Sequence, residues 1–184
     1  MRLGPRSSPS NIRLRVIGVG QEWRGDDTAG LLVARRLREM LAPQSAPASA
    51  WRQVQVLESS GFIGDLLDVW QETEVVILAD AVRSGGRPGE IYRFPLHEGP
   101  LPAELFPAPS THLWGVAQAV ALAGVLKALP PYLVVYGIEG QDFGLGRPPS
   151  AEMGRAVPEV ARRIILEIME YLGQSALDSR QEIG

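Results

Sequence analysis

Apolar and polar positions fall along this chain in blocks of alternating period. Ile12 to Gly18 reads as a buried strand, Val54 to Leu57 as a short β-branched one, and the continuous runs Val75 to Ala79 and Leu133 to Ile138 as two more. The run Val75 to Ala79 has the character of a central strand covered on both faces. Ile91 to Phe94 follows the turn Ser84-Gly85-Gly86-Arg87-Pro88-Gly89 and reads as an edge strand. Between these runs the period lengthens. Thr28 to Leu41 places Ala29, Leu32, Val33, Leu37, Met40 and Leu41 on one broad stripe, which predicts an amphipathic helix. Gly61 to Trp70 suits a short helix. The Ala-rich stretch His112 to Leu129 suits a buried one, stopped by Pro130-Pro131. A last helix is predicted from Pro158, placed in its first turn, to Leu172, with Val160, Ile164, Ile168 and Leu172 facing the core. Strands of Val, Ile and Leu alternating with helices predict a three-layer α/β sandwich. Its mostly parallel, twisted sheet has about five strands, with helices on both faces.

No internal repeat and no second apolar set appears, so residues 1–184 are expected to form a single domain. Polar loose tails are expected at 1–11 and 174–184, a Pro/Ala/Ser loop at Pro43 to Ala50, and an irregular Pro-rich excursion from Leu96 to Ser110. At 184 residues and 45% hydrophobic composition the chain can bury a sizeable core. The net charge is −3 and no stretch is strongly basic, which argues against nucleic acid as a partner. Arg35, Arg36 and Arg38 cluster on a predicted helix and read as its solvated face. No apolar run approaches the roughly 20 residues that span a bilayer, and the first eleven residues lack the apolar core of a secretory signal. The absence of cysteine excludes disulfides, thiolate ligands and a cysteine nucleophile, and is compatible with a cytoplasmic location.

Chemistry enters at the ends of the strands. In an open parallel sheet, ligands bind at the carboxyl edge. Asp26 and Asp27 follow the first strand, Glu58 the second, Asp80 ends the third and Glu139 follows the last. Asp26 and Asp27 can each serve as a helix cap or as a functional carboxylate. Asp80 ends a strongly apolar run, so burial obliges it to find a metal, a hydrogen-bond donor or open solvent. His112 follows Pro109-Ser110-Thr111 at a predicted helix start. It fits either a partly buried histidine or a ligand, whereas His97, beside Glu98, reads as a surface residue. Two carboxylates and an imidazole brought to one sheet edge would make a site for a hard-to-borderline divalent metal.

Other chemistries fit less well. Gly18-Val19-Gly20 hints at a dinucleotide loop, but Trp23 stands where a third glycine is needed, and two carboxylates at the helix start would repel a pyrophosphate. Asp26 follows Gly25 where a phosphate loop needs lysine, and no Gly-x-Ser-x-Gly elbow occurs. No organic cofactor is expected.

Gly18-Val19-Gly20 with Gly25-Asp26-Asp27 and Gly30 resembles the opening motif of the hydrogenase maturation proteases. Ala79-Asp80-Ala81 with Pro88-Gly89 is similar to that family's second motif, Ser110-Thr111-His112 to its third, and Gly137-Ile138-Glu139 to its last strand and loop. The resemblance spans Ile12 to Leu172. It implies an endopeptidase that removes the C-terminal extension of a nickel–iron hydrogenase large-subunit precursor after nickel insertion. It also implies that Asp27, Asp80 and His112 bind the metal and form the catalytic set, with nickel supplied in the precursor. Gln21, Thr28 and Glu58-Ser59-Ser60-Gly61 depart from the family pattern and spare those three positions. Asp26 and Glu58 are water-activating candidates by location. An ordinary metal-dependent hydrolase of small amides or peptides with a resident zinc, or a non-enzymatic α/β binding module, are the competing expectations.

Overall fold

The computed structural model of the chain describes residues 14–42, 51–71, 73–101 and 113–181. Its elements, in chain order, are β1 (Leu14–Val19), α1 (Ala29–Met40), β2 (Val54–Ser59), α2 (Ile63–Trp70), β3 (Val75–Val82), β4 (Ile91–Pro95), α3 (Leu113–Val125), β5 (Tyr132–Glu139) and α4 (Ala151–Gln181). One five-stranded sheet runs in the order β2-β1-β3-β5-β4. The pairings β1–β2, β1–β3 and β3–β5 are parallel, and only the edge strand β4 runs antiparallel, against β5. The α/β sandwich expected from the strand–helix alternation is the architecture observed.

Two cores result from the period-2 alternation of the strands. Leu14, Val16, Val75, Ile77, Ala79, Val134, Tyr136 and Ile138 point to one face, where α1 and α4 cover them. Ile17, Val19, Val76, Leu78, Leu133 and Val135 point to the other, under Leu66 and Trp70 of α2 and Val116, Ala119 and Ala123 of α3. By this alternation Asp80 shares the α3 face with Val76 and Leu78.

Glycine contacts set the seat of α1. A Cβ on Gly18 would lie 2.0 Å from the Gly30 carbonyl oxygen, and one on Gly30 would lie 2.1 Å from the Ala79 oxygen and 2.2 Å from the Val19 oxygen. The first turn of α1 therefore rests directly on the backbones of β1 and β3, beside Asp80. Only glycine permits that approach.

Several boundaries differ from the sequence expectation. β3 continues two residues past Asp80 to Val82, so Asp80 lies inside the central strand rather than at its end. The last helix starts at Ala151, and Pro158 lies within it. Ser150 caps it, its Oγ accepting the Met153 N–H at 3.2 Å. The backbone of 174–181 continues α4, which corrects the expected loose tail there; after Gly173 the segment Gln174 to Gln181 holds no further Gly or Pro to stop a helix. The 1–11 tail, the 43–50 loop and residues 102–110 of the Pro-rich excursion lie outside the described residues.

Candidate active site

The chain leaves β1 at Val19, crosses the carboxyl edge of the sheet and enters a single 3-10 turn, Gly25–Thr28, before α1. This turn carries the adjacent acids Asp26 and Asp27, both buried. Their roles separate completely. Asp26 turns away toward the loop after β5. Its Oδ2 accepts the N–H groups of Gln141 at 2.9 Å and Asp142 at 3.2 Å, and its Oδ1 accepts that of Ser150 at 2.7 Å. Burial alone would raise the Asp26 pKa, but these amides outweigh it and hold the carboxyl below its ordinary range. The backbone adds to the seam. The N–H of Asp26 donates to the Asp142 carbonyl at 2.7 Å, and that of Gly25 donates to Arg147 at 3.0 Å. Asp26 is thus a latch between two loops, with both oxygens engaged, and not a group poised to activate water.

Asp27 is set against Asp80. Burial, and next the nearby charge of Asp27, push the Asp80 carboxyl well above the ordinary range, while the Ala81 N–H works in the opposite direction. That amide donates to Asp80 Oδ1 at 2.8 Å. Asp80 Oδ2 is buried and accepts no hydrogen bond from any described residue. A fully buried carboxylate beside a second one, with one oxygen unsatisfied, is an unfavourable arrangement that a cation would relieve. The donor chemistry therefore fits a divalent metal.

His112 lies outside the described residues. The helix that follows it is informative all the same. α3 packs on the Asp80 face, and a Cβ on Gly115 would lie 2.0 Å from the Gly61 carbonyl oxygen. Gly61 comes just after the end of β2, so α3 begins at the carboxyl edge. Among the described residues no group of three or more His, Asp or Glu side chains forms a metal cage. The described part of the proposed set is the pair Asp27 and Asp80.

The other two acids at strand ends serve structure. Glu58 faces α1, on the opposite face of the sheet from Asp80. Its carboxylate pairs with Arg38 and with Arg35, the latter at 2.8 Å. Burial works against the charged form of Glu58, and the two guanidinium groups overcome it and lower its pKa. Glu139 accepts the Ser84 N–H at 2.9 Å, the Ser84 hydroxyl at 2.6 Å and the Gly85 N–H at 3.0 Å, which ties down the loop after β3. Between the ends of β1 and β2 an open groove of about 460 Å³ is lined by Gly20, Gln21, Glu22, Leu31, Glu58, Ser59 and Ser60.

The sequence pattern did not foretell the Asp26 and Glu139 latches. Their one signal is a glycine-bearing partner loop opposite each acid, Gly140 to Pro149 and Ser84 to Gly86. His97 is exposed, as expected, and stacks on Tyr132 with ring centroids 4.4 Å apart.

A three-layer α/β protein with paired carboxylates at the carboxyl edge of its central strands is the class that the fold and site define. The family model for hydrogenase maturation protease (HycI) matches residues 32–167, a span that contains Asp80 and His112 and begins five residues after Asp27. The chain belongs to the hydrogenase maturation protease family. No curated protein matches it. Among solved structures it is similar to the hydrogenase maturating endopeptidase HybD from E. coli, at 20% identity and a TM-score of 0.72, over 87% of this chain and 94% of that one. It is also similar to a [NiFe] hydrogenase maturation protease HycI from Thermococcus kodakarensis KOD1, at 25% identity and a TM-score of 0.59, over 86% and 92% of the two chains. The hydrogenase 2 maturation peptidase from Thaumarchaeota archaeon SCGC_AB-539-E09 shares the fold at 22% identity and a TM-score of 0.55, over 85% and 97%. Among the described residues no helix is long and apolar enough to cross a membrane.

Proposed function

We propose that this protein is a cytoplasmic endopeptidase that removes the C-terminal extension of a nickel–iron hydrogenase large-subunit precursor once nickel has been inserted. Asp27, Asp80 and His112 engage that nickel. The observation that carries this reading is the fully buried Asp80 carboxyl beside Asp27, whose Oδ2 has no hydrogen-bond partner among the described residues, in a member of this family. Folding has set two carboxyl groups together where burial disfavours their ionisation, so a cation presented by the substrate relieves that cost. Three protein ligands leave coordination positions for the precursor's own ligands. The metal is thus part of the substrate, and its presence reports that the precursor is ready.

Recognition then orders the reaction. The scissile peptide is held beside the bound metal. Polarisation of its carbonyl, or of a water, lets oxygen add to the carbonyl carbon. The C–N bond breaks, and the water proton passes to the departing amine. Cleavage of nickel-loaded and nickel-free precursor, followed by gel mobility, tests the proposal. Loaded precursor is expected to be cut and empty precursor to be left at least 100-fold slower, roughly what a few kcal/mol of metal recognition supplies. Equal rates would remove metal recognition, and full activity in Asp80→Asn or His112→Ala would remove the residue assignment.

A further inference from the structure

Trp23 stands on the loop between β1 and the acidic turn, and nothing in the fold of the free protein accounts for it. Its backbone has φ of +59°, the left-handed region that bulky residues avoid. The other non-glycine residue with positive φ among the described residues, Lys127, sits just past the end of α3, where that conformation is common. The side chain is 77% exposed, so the indole contributes no core contact in return for the strained backbone. The surroundings hold the strain in place. The Trp23 carbonyl accepts the Gly146 N–H at 2.6 Å, Gly25 and Asp26 are hydrogen-bonded to Arg147 and Asp142, and the Asp26 carboxylate clamps three further amides. Leu145, beside Gly146 in sequence, is 84% exposed. A large aromatic and a large aliphatic side chain are therefore presented together at one rim. An outlier so firmly maintained points to a use.

Position narrows that use. Glu22, the neighbour of Trp23, lines the groove between β1 and β2, and Asp27 follows four residues later on the same loop. A large partner that reaches the acidic pair meets the loop that carries Trp23. The indole projects outward without walls of its own, so the enclosing surface must come from the partner. A small amide cannot supply that surface, and a folded protein can. Buried tryptophans at interface centres are also the residues that most often dominate protein–protein affinity.

We infer that Trp23, with Leu145, is a docking anchor that inserts into an apolar pocket on the hydrogenase large-subunit precursor. This inference rests on the protein-precursor reading above. Steady-state cleavage of nickel-loaded precursor by the wild-type chain, Trp23→Ala and Trp23→Asn tests it, with thermal melts of all three. Asparagine tolerates the left-handed backbone, so Trp23→Asn is expected to melt at or above the wild-type temperature. Both variants are expected to raise KM on the order of 10–30-fold with kcat within about twofold, the pattern of lost binding rather than lost chemistry. Wild-type KM in both variants would overturn the anchor while leaving the protease reading intact. A lower melting temperature in Trp23→Asn together with a fallen kcat would make Trp23 a structural residue and also overturn it. A wild-type chain that neither binds nor cleaves the loaded precursor would overturn both readings.

Discussion

Asp26 and Asp80 end up in opposite electrostatic states because of what surrounds each. Asp26 meets three backbone N–H groups and is stabilised as an anion; Asp80, which Asp27 approaches, meets one amide and a second negative charge. The consequence for Asp80 is a measurable link between pH and stability. Its folded pKa lies above the unfolded value of 3.8, so in metal-free protein the folded state holds the proton more tightly than the unfolded chain. Stability is retained below that value and is lost as pH rises through the folded pKa. Asp80→Asn removes the titration while keeping the shape. In the presence of a chelator the variant is expected to be more stable than wild type at pH 8 by on the order of 1–3 kcal/mol, the usual cost of one unsatisfied buried polar group. The gap should close toward pH 4. Thermal melts across that pH range check it, and parallel curves would show that neither burial nor the Asp27 charge shifts Asp80. The same variant is expected to be inactive on precursor, a case of a site kept at the expense of stability.

At the scale of elements, the seat of α1 decides whether the acids meet at all. The Gly18–Gly30 approach leaves no room for a methyl group, and the obstructing atoms are backbone oxygens that cannot rotate aside. Gly30→Ala must therefore lift the helix start off β1 and β3, carrying Asp27 away from Asp80. A destabilisation of about 3 kcal/mol, typical of severe overpacking, is expected in urea unfolding, together with loss of cleavage. Unchanged stability would mean that α1 is not seated as described. These elements show what could be read from sequence. The apolar runs declared the central strands, since Val75 to Ala79 or Leu133 to Ile138 has no other way to be satisfied, and the turn Ser84 to Gly89 marked the edge strand β4. Where β3 ends was not legible, because Asp80 interrupts the apolar pattern while the backbone carries on pairing with β5 through Val82. The start of α4 was hidden for a similar reason. Pro158 is tolerated in a first turn and so marked one, yet it lies on the exposed side of the helix with Gly154 at the preceding turn, where the lost hydrogen bond faces water. The Asp26 latch joins residues more than a hundred positions apart, and no local pattern encodes it. Likewise, Trp23 looked only like a failed glycine until its backbone angle and exposure were known.

For the whole molecule, the proposed function makes folding and metal capture one linked equilibrium. β1 and α1 deliver Asp27, and β3 delivers Asp80 from the centre of the sheet; in the unfolded chain the two carboxyls are independent. A divalent ion that needs both therefore binds the folded state and stabilises it by RT ln(1 + [L]/Kd). At an ion concentration equal to Kd this is about 0.4 kcal/mol, and at ten times Kd about 1.4 kcal/mol. Two acids and one imidazole do not close a four-ligand cage, so the ion is expected to be held loosely and to leave on dialysis. Added Ni²⁺ should thus raise the melting temperature of the wild-type chain in a concentration-dependent way, with no metal surviving dialysis by elemental analysis. The shift should vanish in Asp80→Asn and in His112→Ala. Stoichiometric metal that survives dialysis would instead describe a resident-metal hydrolase, and the precursor's nickel would lose its special role. Loose binding by the free protein has a functional logic. A processing enzyme that kept its own ion would have filled the acidic pair before any precursor arrived, and could no longer tell a loaded precursor from an empty one.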